Sequence, residues 1–214
     1  MQRLDIRALY YITHIDNLPS ILTTGILSHE RIRTEGIQNR TIYLKHLVNK
    51  RRNRSTPTGK SLWHYANLFF QPRNPMLYYV IRNEGKRNIT VLRISNAVLQ
   101  KQGIFITDGI ASNKLTRIYS QAEGQRILQA QQNFIRSDSW ISWNDSDKVR
   151  RQLMAECLVP NQVDPIHIQR FIVADQSVAN SLQNCLSSSN FRKCVVASDG
   201  SNIFTPFIVK PTIK

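Results

Sequence analysis

One carboxylate stands out by its surroundings. Glu156 lies in Met154-Ala-Glu-Cys-Leu-Val-Pro160, with apolar or small residues on both sides. A carboxylate in such a strand must be hydrogen-bonded, paired or engaged in chemistry, because burying an unpaired charge costs several kcal/mol. Strand alternation sets Glu156 and Leu158 on one face and Ala155, Cys157 and Val159 on the other. Facing a cleft, the carboxylate is available for chemistry. On an edge strand the same residue is an ordinary solvent-facing glutamate, and this segment by itself leaves both readings open.

Other chemistry-bearing residues are weaker. His14 and His64 each sit among apolar neighbours, where a satisfied core imidazole competes with a catalytic one. No G-x-S-x-G nucleophile turn is present, nor a P-loop or dinucleotide fingerprint, so a bound nucleotide must use some other cradle. The five histidines lack H-x-x-x-H spacing, and Cys157, Cys185 and Cys194 form no C-x-x-C pair. Neither a metal nor a disulfide framework is implied, and reduced packing cysteines are expected.

The basic residues speak more clearly. The 214-residue chain carries 29 Lys and Arg against 14 Asp and Glu, a net charge of +15. Nine of those cations fall within residues 31–60, where Glu35 is the sole acid. Such a surface attracts polyanions, and nucleic acid is the favoured partner class over a merely solvated basic face. Trp140, Trp143 and Tyr119 lie in polar sequence near Arg136, Lys148, Arg150 and Arg151. Exposed aromatics beside cations suit stacking on unpaired bases, worth about 1–3 kcal/mol per base. Alternatively, the tryptophans anchor their loop to the body of the protein.

These residues need a scaffold. A hydrophobic fraction of 41% and a charged fraction of 20% are those of a globular chain. No apolar run reaches the ~20 residues of a membrane span, and the start has no uninterrupted apolar core of a secretory leader, so a cytoplasmic protein is expected. Residues 6–15 read as a strand. A helix follows from near Pro19 to a stop at Gly25, with Asp16 or Asn17 as cap. Residues 29–60 are polar and aperiodic apart from a short apolar stretch at 43–48. Residues 63–70 form an amphipathic piece closed by a turn at 72–75. Met76–Arg82 and Ile89–Ile94 read as two strands about a turn at 83–85. A short helix at 98–102, an edge strand at 104–107 and a helix near 122–134 come next, and residues 137–144 read as the loop that displays Trp140 and Trp143. Strands at 155–159 and 166–173, a helix at 178–186 and closing strands at 194–196 and 204–209 complete the pattern. Helices and strands interleave without strict alternation, which predicts an α+β fold in a single domain spanning residues 1–214.

Three separated segments carry a resemblance: YYITHIDNLPSIL from Tyr10, HYANLFFQPRNPMLYY from His64 and RRQLMAECLVP from Arg150. In that order they resemble the DarT family, DNA-modifying ADP-ribosyltransferase toxins of bacterial toxin–antitoxin systems. The likeness runs from about Tyr10 to about Val173. It implies the ADP-ribosyltransferase fold, a split and mainly antiparallel β-sheet with flanking helices and NAD in the cleft. It implies transfer of ADP-ribose from NAD, consumed as substrate and without a metal, to a base of single-stranded DNA. It also implies a partner antitoxin with ADP-ribosyl hydrolase activity that reverses the mark. A monomer is expected, with no membrane partner.

By the same resemblance, Glu156 falls at the catalytic glutamate and Arg51 at the essential arginine, which also contacts NAD. Tyr11, Ile12 and Thr13 fall on the strand that holds nicotinamide and its ribose, and Ser20 and Ser28 at further NAD-contacting positions. Residues 31–54 correspond to an element that covers NAD, and residues 112–151 to the substrate-facing loop. Trp140, Trp143, Arg150 and Arg151 are the expected DNA contacts. Thymine-modifying relatives often read Tyr-His-Ile-Thr where this chain has Tyr10-Tyr11-Ile12-Thr13, and tyrosine cannot take up a proton near neutral pH. The 64–79 segment is similar to the guanine-modifying branch, so guanine is favoured and thymine is next. Rival readings are transfer to RNA or protein, and a non-catalytic nucleic-acid-binding module.

Overall fold

The computed structural model describes residues 6–42, 45–130, 147–187, 195–198 and 203–204. Their strands are β1 Ala8–His14, β2 Ile26–Leu27, β3 Tyr65–Phe69, β4 Ile89–Ser95, β5 Phe105–Thr107, β6 Ile118–Ser120, β7 Glu156–Pro160, β8 Gln162–Val163, β9 Ile168–Val173 and β10 Val195–Ser198. Eight of them form one sheet in the order β10-β9-β4-β1-β3-β7-β5-β6, while β2 and β8 pair separately. Every neighbouring pair is antiparallel except β10 with β9. The helices are α1 Leu18–Thr24, α2 His29–Thr34, α3 Lys45–Arg52, α4 Pro75–Glu84, α5 Gln121–Ala130, α6 Asp147–Gln152 and α7 Gln176–Ser187. The α+β expectation and the mainly antiparallel sheet are both met.

The sheet is covered on both faces. Leu9, Leu92, Ile94, Phe171, Cys157 and Val159 pack with Leu18, Leu128 and Leu186 of the helices on one side. Ala8, Tyr10, Ile12, Val91 and Ile172 pack with Leu77 and Val80 of α4 on the other. Period-two alternation sorts neighbouring residues of β1 and β4 into these two clusters. α1 stops at Gly25, whose φ of 84° suits a residue without a side chain, and a Cβ there would lie 2.3 Å from the Val163 carbonyl oxygen.

Three sequence expectations are corrected. Met76–Arg82 is helical, inside α4. Asn74 caps that helix by accepting the Leu77 N–H at 3.1 Å, Pro75 occupies its first turn and Gly85 ends it at φ 80°. Buried Leu77 and Val80, three residues apart, supply the helical period that the β-branched and aromatic composition obscured. The apparently aperiodic basic region contains α2 and α3. The predicted edge strand at 104–107 is β5, which lies between β7 and β6. Trp140 and Trp143, the end of the predicted helix at 122–134 and most of the closing strand at 204–209 lie outside the described residues. Among the described residues, no helix is long and apolar enough to cross a membrane.

Candidate active site

β1 and β3 lie side by side but share one ladder pair, Tyr10 with Phe69. On its other edge β1 stays paired with β4 as far as His14, and β3 stays paired with β7 as far as Tyr65. The sheet therefore splits beyond Tyr10, and a cleft of about 750 Å³, open to solvent, occupies the gap. Tyr11, Ile12 and Thr13 line it from β1, Asn67 and Phe69 from β3, and Glu156 from β7.

Glu156 is on an interior strand and 1% exposed, so the solvent-facing edge reading is wrong. Its partner is Arg51, from the last turn of α3, whose Nη1 donates to Glu156 Oε2 at 2.8 Å. Arg51 is itself 5% exposed, and its Nε and Nη2 are buried without a hydrogen-bond partner. An unsatisfied guanidinium edge is costly, and it marks a place for a carbonyl or anionic ligand group. The neighbouring Arg52 turns elsewhere, its guanidinium lying 5.9 Å from the centre of the Trp63 ring.

A second layer fixes the glutamate. The Glu156 N–H donates to Thr107 Oγ1 at 3.0 Å, and that hydroxyl donates to the Gly109 carbonyl at 2.6 Å. Arg54, three residues after Arg51, donates to the Ala111 carbonyl at 2.5 Å and to the carbonyls of Asn113 and Thr116. One short segment thus grips the carboxylate through Arg51 and, through Arg54, the loop that carries Ile110 and Ser112 into the cleft wall. His29 completes the wall, stacked on Trp63 at 4.9 Å between ring centres. Burial, and then the Arg51 charge, lower its pKa to about 4, so this imidazole is neutral at physiological pH. Cys157, next to Glu156, is fully buried, and desolvation followed by the Glu156 charge pushes its thiol up to about 12. It is packing, not a nucleophile.

The structure brings Tyr11, Ile12, Thr13, Arg51 and Glu156 together around one cleft. Ser20 lines a smaller lobe beside it. Ser28 is buried and caps α2, its Oγ accepting the Arg31 N–H at 3.3 Å, and is not among the residues lining either space. Arg150 and Arg151 lie on α6, away from the cleft lining. Arg150 pairs with Asp147 at 2.6 Å, and Arg151 donates to the Leu115 carbonyl at 2.8 Å. Sequence reasoning missed Asn67, His29 and the partnership of Asn17 with residue 40, none of which carries a local motif. His14 is a buried residue whose Nδ1 accepts the Asp16 N–H at 3.1 Å, and burial lowers its pKa.

Residues 10–205 match the family model described as ssDNA thymidine ADP-ribosyltransferase, DarT. The chain belongs to the DarT family. A DNA ADP-ribosyl transferase–DNA ADP-ribosyl glycohydrolase fusion protein of Thermosipho africanus (strain H17ap60334) is 40% identical over 185 residues, which are 86% of this chain and 47% of that protein. The chain therefore spans about half the length of that relative. Thermus sp. 2.9 DarT, solved with ADP-ribosylated ssDNA, is 26% identical with a TM-score of 0.77, covering 92% of this chain and 97% of that one. Solved with NAD+, it is 25% identical with a TM-score of 0.73, over 92% and 98% of the two chains. The split sheet with its cleft is thus the DarT ADP-ribosyltransferase fold. Among the described residues no cluster of His, Cys, Asp and Glu is arranged to hold a metal.

Proposed function

We propose that this DarT-family chain transfers ADP-ribose from NAD to a base of single-stranded DNA. The observation that carries the reading is the buried Glu156–Arg51 pair at the floor of a cleft formed where the sheet splits. The residues present fit a dinucleotide: two unpartnered guanidinium nitrogens for an anionic or carbonyl group, and Tyr11, Ile12 and Phe69 as apolar wall. NAD, when bound, supplies a sugar that becomes electron-deficient as nicotinamide leaves.

Glu156 presents a full negative charge in a place largely closed to water, where its field on developing positive charge is strong. Its carboxylate can also accept a sugar hydroxyl, as carboxylates do in glycosidases. Arg51 holds that carboxylate in place through the 2.8 Å bond, and offers its remaining donors as a charge clamp. It stays protonated, so it is not the group that removes a proton from the acceptor base. Thr107 and Arg54 hold the two walls in register. A single strand suits the site because its bases are already unpaired, which avoids the few kcal/mol of extrusion.

The base is the finer question. The 64–79 segment favours guanine, with thymine next, while the description of the matching family model names thymidine. A partner with ADP-ribosyl hydrolase activity that reverses the mark is supported by the fusion of the two activities in the Thermosipho africanus relative, and a toxin role in the cytoplasm belongs to the same proposal. The test is incubation with NAD and single-stranded oligonucleotides carrying one of the four bases at a central position, with RNA and a protein mixture alongside. Mass spectrometry locates the label. Labelling of RNA or protein alone refutes the proposal, and salt-sensitive DNA binding without NAD consumption replaces it with a binding module.

A further inference from the structure

Asn17 occupies the N-cap position of α1 yet makes no capping bond with its side chain. Asn17 ends the 3-10 turn Ile15–Asn17 with helical backbone angles, φ −82° and ψ −10°, whereas a capping residue is ordinarily extended, and its carboxamide bonds elsewhere. Its Oδ1 accepts the Arg40 N–H at 2.6 Å, and its Nδ2 donates to the Arg40 carbonyl at 2.9 Å and to Thr13 Oγ1 at 3.1 Å. The two bonds to Arg40 imitate one rung of a β-ladder with a side chain in place of a strand. Asn17 is 8% exposed and Thr13 2%, so the bond between them is buried, and the two to Arg40 are partly so.

What they hold lies between two spaces. The main cleft reaches from Glu156 to the strap 37–42, and a smaller lobe of about 350 Å³ runs on past Ser20, Thr24 and Ile37. Tyr11, Thr13, Asn17 and Asn39 line both. The Arg40 side chain also reaches Glu84 at 3.1 Å and Asp16 at 3.6 Å, but it is half exposed, and such pairs hold little. The strap is therefore fastened by a buried amide rather than by charge.

We propose that Asn17 is a positioning residue that sets the throat between cleft and lobe, so that a two-ended ligand is held through it with one end at Glu156. Taking NAD as that ligand rests on the ADP-ribosyl transfer reading. The latch itself does not. Asn17→Ala removes all three bonds, while Asn17→Asp keeps an acceptor for the Arg40 N–H and loses the donor to its carbonyl. Both variants raise KM for NAD about tenfold and leave kcat within about threefold, because the throat orders the bound ligand and does not touch the reacting atoms. Glu84→Gln, which removes only a charge partner of Arg40, leaves both constants unchanged.

A second readout needs no turnover. Trypsin cuts after Arg40, and the Arg40 N–H is tied to Asn17. Cleavage there is slow in the wild type, faster in Asn17→Ala and unaltered in Glu84→Gln. An Asn17→Ala protein with wild-type KM and wild-type cleavage overturns the proposal. So does a loss of kcat that follows the folded fraction with KM unmoved. If no variant, wild type included, consumes NAD, the transfer reading fails, and cleavage at Arg40 still decides whether Asn17 holds the strap.

Discussion

Replacing Arg51 by methionine leaves the Glu156 carboxylate buried with its cationic partner gone. The side chains of the pair are 6% and 2% exposed and meet at 2.8 Å, so water does not replace the lost bond. Removing one member of a buried pair costs about 3–5 kcal/mol. The lower end applies here, because the substitution also discards two guanidinium donors that already lack partners. A loss of about 3 kcal/mol is a large part of the ~5–15 kcal/mol available to a natural domain. The double variant Arg51→Met/Glu156→Leu removes both charges and fills similar volume, so it recovers to within about 1 kcal/mol of wild type or exceeds it. Urea denaturation followed by circular dichroism at pH 7 measures all three proteins, and none of the variants transfers ADP-ribose. A single-variant cost below about 1 kcal/mol, the value of a solvated pair, refutes the buried-pair reasoning. A double variant no more stable than Arg51→Met refutes it as well.

Two further outcomes rest on the packing of His29 and Gly124, and a third on the expected role of Arg150. His29 titrates near 4 in the fold against 6.5 when free, so the folded state binds fewer protons than the unfolded one between those values. Stability is present above pH 6.5 and falls as the pH drops through that window, by on the order of 3 kcal/mol at pH 4. His29→Gln flattens this slope, and equal pH dependence in the two proteins by denaturant titration contradicts it. Gly124→Ala, which in an isolated helix gains about 1 kcal/mol, places a Cβ 2.3 Å from Ile106 Cβ on β5. It therefore destabilises by about 1–3 kcal/mol, and a raised melting temperature refutes that contact. Finally, the proposal that Arg150 meets a DNA phosphate predicts that Arg150→Ala lowers the slope of log affinity for single-stranded DNA against log salt by about 0.7. An unchanged slope in fluorescence anisotropy removes Arg150 from the interface.

The site was legible where chemistry and local pattern coincide. Glu156 was readable because a carboxylate inside an apolar strand demands an explanation, and β1 because Tyr10-Tyr11-Ile12-Thr13 is aromatic and β-branched sequence that favours a strand. Whether Glu156 faced water or a cleft was not readable, since that depends on β7 lying between β3 and β5, a fact of sheet order. Its partner Arg51 is 105 residues away in the chain, on a helix whose many cations hide its few apolar positions. Met76–Arg82 misled because composition outweighed punctuation. Asn74, Pro75 and Gly85 carried the helix signal, and Leu77 and Val80 gave its period. Position offered Asp16 or Asn17 as the cap, and only the structure shows the Asn17 amide turned toward Arg40.

The most direct test of the account compares wild type with Glu156→Gln, each incubated with NAD and a mixed-sequence single-stranded oligonucleotide and analysed by intact mass and fragmentation. The account predicts an ADP-ribose adduct on one base type with the wild type and none with the variant. Equal adduct from both proteins, or adduct absent from DNA with the wild type, contradicts it.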